Sequence, residues 1–548
     1  MATNDTNRLG ETPRAKSWWR WWVTAAVLAM LGLLAWNLFW EFDHAVANVV
    51  MGICLFLATL VAWITLWRSS PSSRRRWVAG VPILLGIGAA GLLKFQGFNG
   101  EIVPQFQWRM AGPRLSPAKV PTKAEATPSQ LESDATDPPI APKALTASGF
   151  PQYLGSQRDG KVISPRFSKP IGKGDLLLRW QVAVGAGWSG VAVADNRLYT
   201  IEQHGTDESI RCYATETGQL VWKHDYPAKH ENLLGGVGPR STPSVVDDQV
   251  VAAGACGDLH CLDAQNGTVR WKLNLNELAA TTQKEFEATV SWGRSASPLC
   301  HEGLVYLPLG GDLSKGCQSL IAIELVDGRE RWRAGDGQIA YASPALLTLD
   351  GTPQVLWLEQ EFVCSCDPKT GQLLWKHPWP SSSSGDACAS QPMQIDQRRV
   401  LLTKGYGQGC RVIEVGKADS KWQANEIWSR TPLLRTKFTS ALVDGDVAYG
   451  LNDGILECVE LELGKRLWRQ GRYGHGQVLL VEKNLVIASE SGELVVVTAD
   501  RSKPELLARL PVLQGTTWNP LAVVGSQIYL RNAQEMARVD LQIDNDSL

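Results

Sequence analysis

The sequence predicts an all-β fold: an eight-bladed β-propeller of four-stranded blades, its last blade closed by an N-terminal strand, preceded by three transmembrane α-helices. Three observations carry this expectation. A Gly-turn-Trp hairpin recurs from residue 195 onward, the two ends of that region supply one strand and three strands that complete each other, and three apolar stretches without charge stand ahead of it.

The bulk composition points the same way. At 548 residues the chain exceeds one ordinary domain of roughly 100 to 200 residues and suits a repeat architecture with appendages. Its 51 Gly and 23 Trp, without low-complexity blocks to hold them, imply many turns between short strands. A formal net charge of −1 provides no field that would recruit a polyanion, so no nucleic-acid partner is indicated. The 11 cysteines include no CxxC pair, which excludes the usual zinc and haem frameworks.

The N-terminal stretches Val23 to Trp40 and Val46 to Trp67 are uncharged and long enough to cross a hydrocarbon core of ~30 Å. Trp77 to Leu93 is broken by Gly and Pro, yet it is also uncharged, starts at an interfacial Trp, and is read as a third span. Arg14, Lys16 and Arg20 precede the first span, and Arg68, Arg74, Arg75 and Arg76 separate the second from the third, whereas Glu41 and Asp43 occupy the remaining loop. The positive-inside rule then sets the N-terminus in the cytoplasm and everything after Lys94 in the periplasm, anchored to the inner, cytoplasmic membrane. A cleaved signal peptide ending at Ala45-Val46-Ala47 is the competing interpretation, and the apolar span that follows immediately argues against it. The resulting layout is a cytoplasmic tail (1–22), a three-helix anchor (23–94), a flexible linker rich in Pro, Ala, Ser and Thr (95–148) and the propeller (149–548). Within the linker, Met110 to Ser148 has too few large apolar residues to offset the entropy of ordering.

The clearest hairpin copies are CYATETGQLVW (Cys212 to Trp222), CLDAQNGTVRW (Cys261 to Trp271), ELVDGRERW (Glu324 to Trp332), CDPKTGQLLW (Cys366 to Trp375) and ELELGKRLW (Glu460 to Trp468). A polar residue opens the turn, and the Gly accepts the positive φ needed where the chain reverses. The Trp on the returning strand offers a large flat surface and one N–H donor, suited to a wedge between neighbouring sheets. From Trp180 to Trp468 these tryptophans recur every 40 to 61 residues, room for four short strands. At the C-terminus, Trp518 to Val524, Gln527 to Arg531 and Met536 to Leu541 supply three strands, and Leu176 to Val182 supplies the fourth.

These copies resemble the pyrroloquinoline-quinone (PQQ) repeat of quinoprotein alcohol dehydrogenases and of the propeller lipoprotein of outer-membrane protein assembly. FPQYLGSQRDG (Phe150 to Gly160), GPRSTPSV (Gly238 to Val245), LNDGILECVEL (Leu451 to Leu461) and GRYGHGQ (Gly471 to Gln477) are similar to membrane-anchored propellers of planctomycete-like bacteria that are named for their fold. The resemblance implies the architecture more than an activity, because unrelated functions share this fold.

In a propeller the segments that open the innermost strands meet at one rim of the channel. Here they bring Trp188, Arg240, Trp292, Arg294, Tyr341, Lys437, Phe438, His475, Trp518 and Asn519, and contain no Asp or Glu. A cationic, aromatic rim suits a planar anion such as PQQ, and it equally suits residues that only order the channel mouth by bonding loop carbonyls. The dehydrogenases that the repeat resembles add adjacent cysteines, a calcium held by carboxylate and amide oxygens, and an Asp base. This sequence has no adjacent cysteines and no carboxylate beside Asn519, so PQQ and calcium lack their usual ligand residues. No catalytic or metal-binding residue is assigned. The function read from the sequence is a periplasm-facing scaffold for protein or peptide partners of the envelope, with a PQQ-dependent oxidoreductase as the alternative. Of the propeller cysteines, Cys388 and Cys410 flank one blade and are candidates for pairing.

Overall fold

The computed structural model describes residues 19–40, 44–110, 149–381 and 387–542. The chain divides into two compact units, Met1–Gly112 and Pro113–Leu548. Residues 1–18 and 111–148, which hold most of the cytoplasmic tail and of the tether, lie outside the described residues.

In the first unit, α1 (Trp19–Trp40) and α2 (His44–Ser69) are long and apolar enough to cross a membrane, by length and composition. Gly32 lets α2 come close, since a Cβ there would meet that of Cys54 at 2.8 Å, and Trp36 Nε1 donates to Asn48 Oδ1 at 3.2 Å. A third helix, α3 (Ser72–Leu92), follows after Pro71 and keeps its helical course through Gly80, Pro82, Gly86, Gly88 and Gly91. Arg74, Arg75 and Arg76, read from the sequence as loop residues, are part of this helix. A proline immediately before a helix leaves its hydrogen-bond ladder intact, so the helix starts earlier than the apolar pattern does. Strand β1 (Leu93–Phe98) continues directly from α3 and pairs antiparallel with β2 (Pro104–Trp108). This hairpin occupies the first part of the stretch assigned to the linker.

Among the described residues, the strands of the second unit form eight sheets of four antiparallel strands, two of them extended by a short fifth strand. Seven are continuous in sequence, spanning 192–227, 244–274, 299–334, 345–378, 393–430, 442–472 and 477–511. The eighth joins the strands of 522–541 to Leu176–Ala183, which pairs from Leu541↔Leu176 to Glu535↔Ala183. Hydrophobic clusters lie between successive sheets, and the largest packs the seventh and eighth against Leu198 and Tyr213 of the first. Buried aliphatic residues at alternate strand positions on both faces explain why each sheet needs two neighbours.

The Trp wedge follows from two local devices. Every sheet carries a register shift between its third and fourth strands, beside a Trp in seven of them, as at Cys261/Leu262 opposite Trp271 and at Ser365/Cys366 opposite Trp375, and beside Ala508 in the seventh sheet. Such a bulge turns the strand and re-aims the side chain. The ring then lies on the turn glycine of the next repeat: a Cβ on Gly218 would come within 2.8 Å of Trp180, and one on Gly371 within 2.5 Å of Trp332. In several of these joints the indole N–H also donates to the next sheet, as from Trp222 to the Ala264 carbonyl at 3.1 Å and from Trp271 to that of Leu325 at 2.8 Å. The motif thus encodes the joint between sheets as well as the hairpin.

Two insertions interrupt the pattern in successive Trp intervals, one of them the longest. The 222–271 interval adds a small hairpin, Glu231–Asn232 paired with Gly236–Val237, and the 271–332 interval adds helices Leu275–Leu278 and Gln283–Thr289. The second helix starts at a reciprocal capping box, Thr282 with Glu285. Cys388 and Cys410 do not form the disulfide considered for them. Burial pushes the Cys261 thiol up to about 12.

Candidate functional site

The ten rim residues separate into two groups with different surroundings. In the first, rings from the segments that lead into four separate sheets meet: Trp188 and Trp518 have centroids 4.6 Å apart, Trp518 and Phe438 4.9 Å, and Phe438 and His475 5.8 Å. Trp518 Nε1 donates to Glu490 Oε1 at 2.8 Å, and the other oxygen of Glu490 accepts the His475 backbone N–H at 3.2 Å. Gln477 Nε2 donates to the carbonyls of both Phe438 and Trp518, fixing the row from below. Asn519 is fully buried and donates to the Gly187 and Ser189 carbonyls, across the junction between the eighth and first sheets. The buried Lys437 ammonium lies 5.3 Å from the ring centroid of Tyr406.

The second group supports the two insertions. Trp188 Nε1 donates to the Gly235 carbonyl at 2.6 Å, and Arg240 Nη2 donates to the same carbonyl at 2.8 Å while its Nη1 reaches that of Gly238 at 2.9 Å. Gly235 is the point of closest approach, because a Cβ there would meet Trp292 at 2.8 Å. Arg294 donates to the Leu309 carbonyl and to Asn276 Oδ1, with its guanidinium 4.0 Å from the Phe286 ring centroid. Tyr341 and Trp292 pack on Phe286 and Val290 of the inserted helical segment. The insertions hold each other through His230 Nδ1 and Glu287 at 2.8 Å, and through Asn232 Nδ2 donating to the Ser291 carbonyl at 3.2 Å. They form a collar on one side of the rim, and its tip leaves Leu233 78% exposed.

These contacts decide what the rim can bind as it stands. Burial pushes the Arg240 guanidinium down to about 10 and that of Arg294 to about 9, the direction expected of cations held by carbonyl dipoles without an adjacent carboxylate. Both Nη atoms of Arg240 point at backbone carbonyls, and the rings of the first group contact one another. A planar quinone needs free guanidinium forks and a slot between rings, so the residues present do not fit PQQ in this arrangement. Among the described residues, no group of three or more His, Cys, Asp or Glu side chains is placed to hold a metal ion.

Residues 150–162 run along the inner strands and bond to several sheets. Phe150 pairs with Val193 of the first sheet, the Val245 N–H donates to the Pro151 carbonyl, and Arg158 donates to the carbonyls of Ser297 and Pro298. Gln391 Nε2 donates to the Arg158 carbonyl, and Lys161–Val162 pairs in parallel with Leu480–Val481. FPQYLGSQRDG is therefore a segment stitched to the inner strands of several sheets.

Sequence reasoning also missed a set of clamping glutamates, of which Glu202, Glu359 and Glu457 are buried and Glu535 partly so. Glu202 accepts the Gly185 N–H, Glu359 that of Gly337, Glu457 that of Leu434 and Glu535 that of Gln514, each clamping the loop that leads into an inner strand. Burial raises the Glu202 pKa, but bonds from His204, Tyr213 and the Gly185 N–H, with the nearby Arg531 charge, leave it below its usual value. The acids stand on second or third strands or just after them, so inspection of the inner-strand starts alone could not find them.

The fold and the repeat define a β-propeller of PQQ-like repeats. Residues 206–470 match the family model described as PQQ_2, outer membrane protein assembly factor BamB. The chain is 21% identical over 322 residues to the outer membrane protein assembly factor BamB of Yersinia pestis, covering 56% of this chain and 71% of that protein. It is 33% identical over 111 residues to the BamB of Xanthomonas campestris, covering 20% and 24%. Among solved structures, it is similar to quinohemoprotein alcohol dehydrogenase from Comamonas testosteroni, with a TM-score of 0.50 at 12% identity over 74% of this chain and 83% of that one. BamB from Moraxella catarrhalis matches with a TM-score of 0.47 at 14% identity, over 68% and 99%. At 12% identity the likeness to the dehydrogenase speaks for the fold alone.

Proposed function

We propose that this chain is a membrane-anchored scaffold whose eight sheets are the eight blades of a periplasmic propeller, and that it binds envelope proteins or peptides at the collar side of its rim without catalysing a reaction. The observation that carries this reading is the use made of the rim cations and rings: Trp188, Arg240 and Trp292 clasp Gly235 and so present Leu233 and Leu234 outward. Exposed leucines on a braced hairpin form an anchor of the kind protein partners bury, whereas a small-molecule site needs a concave, open pocket. The likeness to outer membrane protein assembly factors supports a partner in the same compartment. A third crossing is supported by Glu101, which follows α3 and lies 3.4 Å from His44 at the start of α2, and a cytoplasmic N-terminus by the arginines at the junction of α2 and α3.

The test is quantitative co-purification of the full chain from envelopes, with Leu233→Asp/Leu234→Asp as the comparison. Loss of specific envelope proteins from the variant, at unchanged thermal stability, is the expected result. An identical partner profile would refute the collar as the binding surface.

A further inference from the structure

The β1–β2 hairpin has two dissimilar faces. Cross-strand pairs Leu93↔Trp108 and Phe95↔Phe106 put four apolar side chains on one face, while Lys94, Gln105 and Gln107 alternate onto the other. The apolar face has little cover: Phe95 is 46%, Phe106 58% and Trp108 59% exposed. Among the described residues the sheet contains these two strands only, and an isolated two-stranded hairpin is marginal in water unless its apolar face packs on something.

Its surroundings say what that is. No residue separates β1 from α3, whose apolar side chains are exposed along its length, including Ile83, Leu85 and Ile87. The hairpin turn is fastened to the start of α2, because Asn48 Nδ2 donates to the Glu101 carbonyl at 3.1 Å and His44 Nδ1 lies 3.4 Å from Glu101. The open end carries two cations, Lys94 and Arg109, the latter bonded to the Leu92 and Leu93 carbonyls at the end of α3. Aromatic rings beside basic residues at the end of an apolar helix match the layer where acyl chains meet phosphates.

We infer that residues 93–109 form an interfacial hairpin, with Leu93, Phe95, Phe106 and Trp108 seated in the phospholipid headgroup–acyl boundary and Lys94 and Arg109 at the lipid phosphates. The inference rests on the membrane-anchor reading of α1–α3 and adds a second mode of lipid contact to it. The hairpin fixes where the chain leaves the bilayer, so the tether starts from a seated element.

The experiment uses the full chain in phospholipid nanodiscs, with p-benzoylphenylalanine introduced singly at Phe95, Phe106, Trp108 and Gln105, and at Leu31 and Phe56 on the lipid-exposed surfaces of α1 and α2. After irradiation, lipid adducts are read by mass spectrometry. Phe106 and Trp108 should give about as much lipid adduct as Phe56 and about fivefold more than Gln105. Lipid adducts at Leu31 and Phe56 but none at the hairpin, or hairpin adducts to protein instead of lipid, would overturn the interfacial hairpin alone. Absence of lipid adducts at every position would overturn the anchor as well.

Discussion

The joints between sheets fall into two kinds. In five of them a Trp ring lies on the turn glycine of the next repeat: Trp180 on Gly218, Trp222 on Gly267, Trp271 on Gly328, Trp332 on Gly371 and Trp428 on Gly464. The others improvise. Trp375 donates to Gln354 within its own sheet and belongs to a cluster with Trp422 and Ala424 of a long hairpin, the partly buried Trp468 reaches the Asp500 carbonyl across a turn that has no glycine, and the seventh sheet has Ala508 in place of the ring. The buried ring shape-matched to a glycine is the regular joint, and a longer hairpin or a single hydrogen bond replaces it where the turn differs.

The largest expected effect lies at a regular joint. Gly371→Val meets both a φ of +71° and the Trp332 ring at 2.5 Å, so it should cost at least about 3 kcal/mol and lower the melting temperature sharply. Gly351→Val, in a turn with φ +71° and nothing within 4 Å of an added Cβ, isolates the backbone part of that loss. If the two variants melt together, the ring contact contributes nothing.

Next in size is the contrast between tryptophans. Trp271→Ala should cost about 3–5 kcal/mol and Trp468→Ala about 1–2 kcal/mol, because the second ring is only partly buried. Equal losses in chemical denaturation would show that the irregular joint is as strong as the regular one.

A third test compares the buried acids at the joints. Glu359 has Lys376 at 2.9 Å and Glu457 has Arg466 at 2.8 Å, whereas Glu208, between the first two sheets, accepts only from Tyr226 OH and the Ala255 N–H. Burial pushes the Glu208 carboxyl up to about 7 from an ordinary 4.5. A folded-state pKa above the unfolded one favours folding below pH 4.5, and this contribution is lost as the pH rises to about 7, a change of up to ~3 kcal/mol. Glu208→Gln should therefore flatten the fall in stability between pH 5 and 7 relative to the unmodified chain. Parallel curves for the two proteins would contradict the raised pKa.

The regular joints were legible because their information is local. Gly, turn and Trp lie within a few residues of one another, and the alternating strands around them fixed both the four-strand unit and the pairing of Leu176–Val182 with the C-terminal strands. The collar was not legible. The long Trp intervals announced extra residues, but Thr282 and Glu285 were not recognised as a helix start, and nothing in the sequence near Arg240 says that its donors go to Gly235 and Gly238. The clamping glutamates escaped for the same reason, being distant in sequence from the loops they hold. At the membrane, LKFQGF and PQFQW alternate as hairpin strands should, yet a composition argument assigned them to a linker. Apolar stretches located the spans, while helix ends such as that at Ser72 depended on the proline before it.

The central claim is that Trp188, Arg240 and Trp292 are taken up in holding the Gly235 turn of the collar, so that the rim in this arrangement does not fit PQQ. Its most direct test is calorimetric titration of the full chain with PQQ, with and without calcium, alongside Arg240→Ala. The account predicts no saturable heat for either protein; saturable binding by the unmodified chain that weakens in Arg240→Ala would show that the rim binds the quinone and would contradict it.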